Sequence, residues 1–312
     1  MESGMGLGGF FRRGLLQIVW SFLFVAGPVG AQKIGVAHNV SYFSKESEVS
    51  QLSEHKLDVY YPKGSAEGPR EVLVFIHGGS WAHGDKKLYT LIGRRMAKQG
   101  KVAVVINYRL SPKAKYDDML YDCAYSINWV SNNISQYNGD PGKILVSGHS
   151  AGGHLAACLM VTDIFERMHL KNPIKGCILI DPFGLDLYSY LSTYKTQFDI
   201  SLYRTFGDQP DNWKKASPYY ALKANTVPFL VFVGSQSYPP IINESQRFVN
   251  KLNELGCCAE FEMVQGKRHR QMILQMFFRG KPMYDRIIGF MNNVEPQGST
   301  GQLVISQDNK KD

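Results

Sequence analysis

Apolar and polar positions divide most of the chain into alternating strands and helices. Runs such as 102–106 and 229–233 are apolar without alternation, which suits strands buried on both faces of a parallel sheet. Strands are predicted at 56–61, 71–77, 102–108, 143–148, 176–181, 228–234 and 259–265. Helices are predicted at 87–99, 117–134, 151–161, 243–255 and 279–291. This alternation predicts an α/β fold, with a mostly parallel central sheet covered by helices on both faces.

The two ends of the chain differ from this pattern. Arg12 and Arg13 precede an apolar run from Leu15 to Ala26, and small residues follow at 29–31. We therefore expect a signal peptide at 1–31, an α/β domain at 32–291 and a disordered polar tail at 292–312. The apolar run is short for a membrane span, which needs about 20 apolar residues. The mature protein is expected to be secreted or periplasmic, without a membrane span. An uncleaved N-terminal anchor is the alternative.

The stretch from 187 to 225 interrupts the alternation and is rich in tyrosine. Tyr188, Tyr190 and Tyr194 are candidates for the lining of a substrate pocket, and surface packing is the alternative for each.

Composition restricts the possible classes of function. The 312 residues are 44% apolar and 20% charged, which is enough for one large α/β domain. The net charge is 35 − 27 = +8, but the basic residues are scattered, which argues against nucleic-acid binding. Five cysteines are an odd number without the spacing of a disulfide framework, so buried free thiols are expected. No cysteine pair has metal-ligand spacing with neighbouring histidines.

Residues 148–152 match Gly-x-Ser-x-Gly between a predicted strand and a predicted helix. A sharp turn from strand to helix holds the serine in strained backbone geometry, and flanking glycines relieve the crowding. The pattern alone occurs by chance in many proteins. The context of strand and helix makes Ser150 the candidate nucleophile.

A second motif, His77-Gly78-Gly79, follows the apolar run 71–76. Two residues without a Cβ let the loop backbone approach a substrate closely. Acyl transfer generates a negative carbonyl oxygen that backbone N–H groups must bind. We expect this oxyanion hole to be formed by Ala151 together with Gly78 or Gly79. A plain glycine turn is the alternative.

Four segments resemble the α/β-hydrolase superfamily, in its esterase and lipase group with a His-Gly-Gly loop. The segments are 77–86, 107–111, 138–141 and 148–154. The branches that they resemble are carbohydrate esterases, kynurenine formamidase-like proteins and prenylcysteine methylesterase-like proteins. The resemblance extends from about Lys56 to about Met291. It implies the α/β-hydrolase fold and an acyl hydrolase activity, and it is much less specific for the substrate.

A serine needs a base to take its proton, and the base should follow the last strand. His269 lies after the strand predicted at 259–265 and is the only histidine after His169. It is therefore the predicted base, with a solvated loop histidine as the alternative.

The triad acid is less clear. In the resembled families it stands three residues after the strand that ends at Gly234, where this chain has Ser237. Asp181, at the end of the preceding strand, is the favoured replacement, because two neighbouring strand ends can reach the same histidine. A nearby carboxylate such as Glu244 or Asp186 is a second option. A degraded triad is the third.

These observations predict a serine hydrolase that cleaves small-molecule carboxylic esters through an acyl-enzyme intermediate. Ser150, His269 and Asp181 would form the triad, without a metal or organic cofactor. An amidase, formamidase or lipase of the same fold is one alternative. A catalytically weak binding protein is another, because Ser237 occupies the usual position of the acid.

Overall fold

An eight-stranded sheet forms the centre of the described part of the chain. A computed structural model describes residues 32–44, 52–64, 68–194, 199–278 and 280–294. The strands are β1 (Ile34–Ser41), β2 (Lys56–Pro62), β3 (Arg70–Ile76), β4 (Val102–Ile106), β5 (Gly139–His149), β6 (Ile174–Ile180), β7 (Phe229–Gly234) and β8 (Ala259–Val264). Their order is β1-β2-β4-β3-β5-β6-β7-β8. The pairs β1–β2 and β2–β4 are antiparallel, and the remaining pairs are parallel.

Ten α-helices accompany the sheet in the described residues. They are α1 (Thr90–Lys98), α2 (Tyr116–Asn133), α3 (Ala151–Val161), α4 (Ile164–Arg167), α5 (Leu187–Thr193), α6 (Asp199–Phe206), α7 (Pro210–Lys215), α8 (Pro239–Glu254), α9 (His269–Leu274) and α10 (Pro282–Asn293). Helices α2, α3 and α8 pack on one face of the sheet, and α1, α9 and α10 pack on the other.

The central strands lack polar alternation because both of their faces are covered. In β3, Val72 and Val74 pack into the layer of α2 and α3, whereas Leu73 and Phe75 pack into the layer of α1 and α10. Fully burying one such side chain contributes about 1.5–3 kcal/mol. The pattern of the sequence therefore determines which strands lie at the centre.

All seven predicted strands and all five predicted helices are present, and the predicted α/β fold class is confirmed. Strand β1 was not predicted, and neither were the short helices α4 to α7 and α9. The predicted signal peptide at 1–31 lies outside the described residues. So does the predicted tail beyond residue 294, whereas α10 continues to Asn293.

The state of the cysteines agrees with a further expectation, and the described helices bear on the question of a membrane span. All five cysteines are free, and only Cys258 is partly exposed. Among the described helices, none combines the length and the apolar character that a membrane crossing requires.

Candidate active site

Ser150 occupies the sharp turn between β5 and α3. Its backbone has φ 55° and ψ −122°, which is a strained conformation for a residue other than glycine. Gly148 and Gly152 allow the turn, because a Cβ on either residue would lie 2.2 Å from a backbone oxygen. For Gly152 that oxygen belongs to Ile76 at the end of β3. The predicted strand–turn–helix context of Ser150 is therefore present.

Three side chains from different strand ends form a continuous chain of hydrogen bonds. The Ser150 Oγ lies 2.9 Å from His269 Nε2. His269 Nδ1 lies 2.6 Å from the Oδ2 of Asp181, whose side chain is fully buried. With Nδ1–H donating to the carboxylate, Nε2 accepts the serine hydroxyl. The structure thus brings together all three residues that the sequence predicts for the triad.

Asp181 follows β6 with φ 49°, and the neighbouring strand end fixes its carboxylate. The Gly234 N–H donates to Oδ1 at 2.8 Å. The Ser237 hydroxyl donates to Oδ2, the same oxygen that binds His269. A buried carboxylate needs such donors, because an unsatisfied charge in the interior is costly. Ser237 is therefore a partner of Asp181, at the position where the resemblance led us to expect the acid itself.

The other two carboxylates considered from the sequence serve elsewhere. Glu244 accepts the Asp186 N–H at 3.1 Å, and burial raises the pKa of Glu244 to about 7. Asp186 caps α5 through the Ser189 N–H and lies 3.1 Å from Arg247. Both carboxylates thus hold the start of α5. The place beside His269 Nδ1 is taken by Asp181.

The residues predicted for the oxyanion hole lie beside the serine. A Cβ on Gly78 would lie 2.7 Å from the His149 carbonyl oxygen and 3.3 Å from the Ser150 Cβ. Gly79 has φ 131°, a conformation that favours glycine, and a Cβ there would lie 2.0 Å from the His83 oxygen. Ala151 is the first residue of α3, where helix amides lack partners within the helix. Loop backbone and helix N-terminus therefore meet around Ser150.

Buried aromatic rings fix the loop that carries Gly78 and Gly79. The His77 ring stacks between Tyr89 and Tyr108, at centroid distances of 6.1 and 4.6 Å. Its Nδ1–H donates to the Gly78 carbonyl at 2.9 Å. Burial lowers the pKa of His77 to about 4, so the ring is neutral near pH 7. The loop is thus fixed before any substrate binds.

A second buried imidazole ties this loop to the segment after α7. The Trp81 Nε1–H donates to His154 Nδ1 at 3.3 Å, and the His154 Nε2–H donates to the Ala216 carbonyl at 2.7 Å. Burial lowers the pKa of His154 to about 4, which keeps one nitrogen free to accept. His154 therefore has a structural role, as a link between Trp81 and residue 216.

His149, the residue before the nucleophile, supports the base. Its ring stacks on the His269 ring with centroids 4.9 Å apart, and its Nε2 lies 3.2 Å from the His269 carbonyl oxygen. Burial, followed by the charge of His269, lowers the pKa of His149 to about 4. The ring is therefore a neutral support for His269.

Some contacts of the site had no signal in the sequence. The stacking of His149 on His269 depends on a chain separation of 120 residues, and no local pattern reports it. The Tyr238 ring lies 5.5 Å from the His269 ring. The only sign in the sequence that Ser237 belongs to the site was its position, where an acid was expected.

Two rings of the tyrosine-rich stretch join a chain of rings that starts at Phe183. The Phe183 N–H donates to the Ser150 carbonyl at 3.3 Å. Tyr190 packs on Phe183 with centroids 5.0 Å apart, and Tyr194 packs on Tyr190 at 5.3 Å. Tyr188 packs on Tyr220 instead. Of the three tyrosines singled out from the sequence, two therefore belong to a chain of rings that begins at Phe183, a backbone partner of Ser150.

Known proteins resemble this chain over most of the described fold. It is 28% identical over 279 residues to the isoprenylcysteine alpha-carbonyl methylesterase ICME of Arabidopsis thaliana, a match that covers 83% of this chain and 65% of the relative. It is 30% identical over 212 residues to the esterase LipC of Mycobacterium tuberculosis, covering 64% of this chain and 52% of the relative. The chain thus spans less than two thirds of the length of these curated relatives.

The fold and the family are also shown by similarity. Esterase B from Lactobacillus rhamnosis superposes with a TM-score of 0.69 at 19% identity, covering 84% of this chain and 85% of that one. This likeness confirms the predicted α/β-hydrolase fold. The BD-FAE family model matches residues 57–252, which include the serine elbow, the His-Gly-Gly loop and Asp181. The chain has the α/β-hydrolase fold and belongs to the BD-FAE family.

Proposed function

We propose that this protein is a serine hydrolase that cleaves carboxylic esters through an acyl-enzyme intermediate. One observation carries the proposal: the unbroken hydrogen-bonded chain from Ser150 Oγ through His269 to the buried Asp181 carboxylate. A hydroxyl beside a neutral imidazole nitrogen, with the imidazole oriented by a carboxylate, is the arrangement that nucleophilic acyl transfer requires.

The reaction has two halves. Ser150 Oγ attacks the ester carbonyl carbon while His269 Nε2 takes the hydroxyl proton. The carbonyl oxygen becomes negative, and backbone N–H groups of Gly78, Gly79 and Ala151 bind it. The C–O bond to the alcohol then breaks, and the imidazolium returns its proton to the leaving alcohol. Water repeats the sequence on the acyl-enzyme, which releases the acid and restores Ser150.

The names of the relatives support an ester as substrate. One is a methylesterase and two are called esterases. Phe183, whose backbone N–H donates to the Ser150 carbonyl, packs on Tyr190, and these rings support a substrate with an apolar portion. We propose a small ester as the substrate class.

Covalent labelling tests the proposal directly. A fluorophosphonate should phosphonylate the wild-type protein, and p-nitrophenyl acetate and butyrate should be hydrolysed. Ser150→Ala should lose both the label and at least about 10³-fold in turnover. Ser147→Ala is the matched control, because its buried hydroxyl has no hydrogen-bond partner among the described residues. Wild-type protein that resists the label and turns over no ester would contradict the proposal.

The alternative substrates are separated by the same assay. N-formyl-kynurenine tests a formamidase, acetylated sugars test a carbohydrate esterase, and an emulsified triglyceride tests a lipase. A hydrolase-fold binding protein would give neither labelling nor turnover with any of them. Ser237 at the usual acid position is the feature that favours this last candidate.

We also propose that the protein is exported with removal of residues 1–31. Two arginines, an apolar run from Leu15 to Ala26 and small residues at 29–31 support this proposal. N-terminal sequencing of protein from the periplasm or the medium should begin at Gln32. Recovery of the intact N-terminus in a membrane fraction would favour the anchored alternative.

A further inference from the structure

Two donors meet at one oxygen of the Asp181 carboxylate. The Oδ2 atom accepts the His269 Nδ1–H at 2.6 Å, and it also accepts the Ser237 hydroxyl. The other oxygen, Oδ1, accepts the Gly234 N–H at 2.8 Å. The carboxylate is thus held at both oxygens by the end of β7, and its orientation toward His269 depends on residues of that neighbouring strand end.

The turn that carries Ser237 is itself fixed. The Ser237 N–H donates to the Gly234 carbonyl at 3.0 Å, and the Gln236 N–H donates to the Lys267 carbonyl at 2.9 Å. The second bond links this turn to the loop that leads into His269. Strands β6 and β7 also meet directly, because the Asp181 N–H donates to the Phe232 carbonyl at 2.7 Å. Position 237 therefore has a defined distance to both the acid and the base.

We propose that Ser237 is a positioning residue that holds the Asp181 carboxylate against His269, and that position 237 is close enough for a carboxylate placed there to replace Asp181. This inference rests on the proposed hydrolase function. The Ser237 Oγ already contacts the atom that binds His269 Nδ1. An aspartate side chain extends one bond further than serine, so its oxygen reaches the region that Oδ2 occupies.

Exchanging the carboxylate between positions 181 and 237 should also preserve the hydrogen bonds between these two side chains. In Asp181→Asn combined with Ser237→Asp, the asparagine oxygen accepts the Gly234 N–H and its amide donates to the new carboxylate. The direction of the bond between positions 181 and 237 is reversed, and one negative charge remains beside the imidazole. The two strand ends are thus alternative sources of the same charge.

Single substitutions test the positioning role. Ser237→Ala should lower kcat about 10-fold or more with little change in KM, because a hydrogen bond to a charged group is lost. Ser237→Thr keeps the hydroxyl and should restore most of the rate. A merely structural role predicts that Ser237→Ala and Ser237→Thr behave alike, or that KM changes with kcat. Either result would overturn the positioning role.

Moving the carboxylate from position 181 to position 237 tests whether a carboxylate at position 237 can replace Asp181. Asp181→Asn should lower kcat by roughly 10³- to 10⁴-fold. Adding Ser237→Asp should recover at least about 10-fold of that loss. The matched control adds Ser235→Asp to Asp181→Asn, because the Ser235 hydroxyl contacts the Gly266 N–H instead of Asp181. No recovery in the folded Asp181→Asn, Ser237→Asp protein, or equal recovery with Ser235→Asp, would overturn the inference.

A measurement without turnover separates this inference from the proposed function. The His269 Nδ1–H bonded to a carboxylate gives a strongly downfield ¹H NMR resonance. It should vanish or move upfield in Asp181→Asn and return in the Ser237→Asp double variant. Wild-type protein with this pattern but without ester turnover would refute the hydrolase and leave only the contacts among positions 181, 237 and 269 supported. An active wild type whose double variant lacks the resonance would refute the inference alone.

Discussion

At the scale of single residues, two residues of the site have a backbone with positive φ. Ser150 has φ 55° and Asp181 has φ 49°, and both directly follow a parallel strand. Such conformations cost about 1–3 kcal/mol in residues other than glycine and persist where the surroundings determine them. Both positions direct a polar side chain to the carboxyl edge of the sheet. Strain at this edge therefore coincides with the proposed chemistry.

One prediction at this scale concerns the stacked histidines. Because burial lowers the pKa of His149 to about 4, its ring should stay neutral from pH 8 down to about pH 5.5. Its imidazole C–H chemical shifts should be flat over this interval and change only near pH 4. NMR with the signal assigned by its loss in His149→Asn checks this. An inflection between pH 6 and 7 would show that the ring is charged within the working range.

The residues of the site differed in how far the sequence could identify them. Ser150 and His269 followed from local motifs and chain order, because a strand–turn–helix pattern and a position after the last strand are local properties. The choice of Asp181 required knowing which carboxylate reaches His269. That depends on how the ends of β6 and β7 lie relative to His269, and Asp181 is 88 residues away from it in the chain. The assembly of the three residues is seen, and their catalytic roles stay a prediction.

At the scale of elements, the junction of β5 and α3 is fixed by close backbone approach. A Cβ on Gly152 would lie 2.2 Å from the Ile76 oxygen and 2.6 Å from the His77 oxygen. The helix N-terminus therefore touches the end of β3, from which the His-Gly-Gly loop begins. The N-terminus of α3 and the His-Gly-Gly loop, both proposed to bind the oxyanion, are thus held together at the contact of Gly152 with the end of β3.

Gly152→Ala should accordingly push α3 away from β3. We expect a loss of unfolding free energy of about 1–3 kcal/mol and a marked fall in turnover, because overpacking displaces backbone. Gly289→Ala in α10 is the matched control, since nothing lies within 4 Å of the added Cβ. It should raise the unfolding free energy by about 0.5–1 kcal/mol with unchanged turnover. Thermal and urea unfolding with an ester assay compare the two, and equal effects would contradict the close contact.

The elements that were not predicted have weak sequence patterns. Strand β1 contains His38 and Asn39 at an irregularity in its pairing with β2, and much of it is partly exposed. It therefore lacks the apolar run of a central strand. Helices α4 to α7 and α9 have 4 to 8 residues, which is too short for a helical period to repeat clearly. Long helices and buried strands were predictable because burial imposes their pattern.

At the scale of the whole molecule, buried ionisable groups link stability to pH. The pKa values of His77, His149 and His154 are each lowered by burial from 6.5 to about 4. The unfolded chain therefore binds more protons than the folded chain between these values, and stability falls as the pH falls. Glu244 acts in the opposite direction between pH 4.5 and 7, because burial raises its pKa to about 7.

The three histidines outweigh the one glutamate, so the free energy of unfolding should decrease by about 2.5 kcal/mol for each pH unit by which the pH falls near pH 5. Urea unfolding at pH values between 7.5 and 4.5 measures this slope. Glu244→Gln removes the opposing group and should steepen the slope by about 1 kcal/mol per pH unit. A stability that is constant over this range in both proteins would contradict the buried neutral state of the histidines.

The imidazole of His154 has a consequence for how this fold can diversify. It joins the indole of Trp81, in the loop after β3, to the carbonyl of Ala216, directly after α7. The helices α5 to α7, which precede residue 216, can therefore change their rings and their length while His154 keeps its bonds to Trp81 and to residue 216. For the proposed hydrolase, such changes would alter the substrate preference without a change in the oxyanion loop. The condition is that the carbonyl of residue 216 stays within hydrogen-bonding distance of His154.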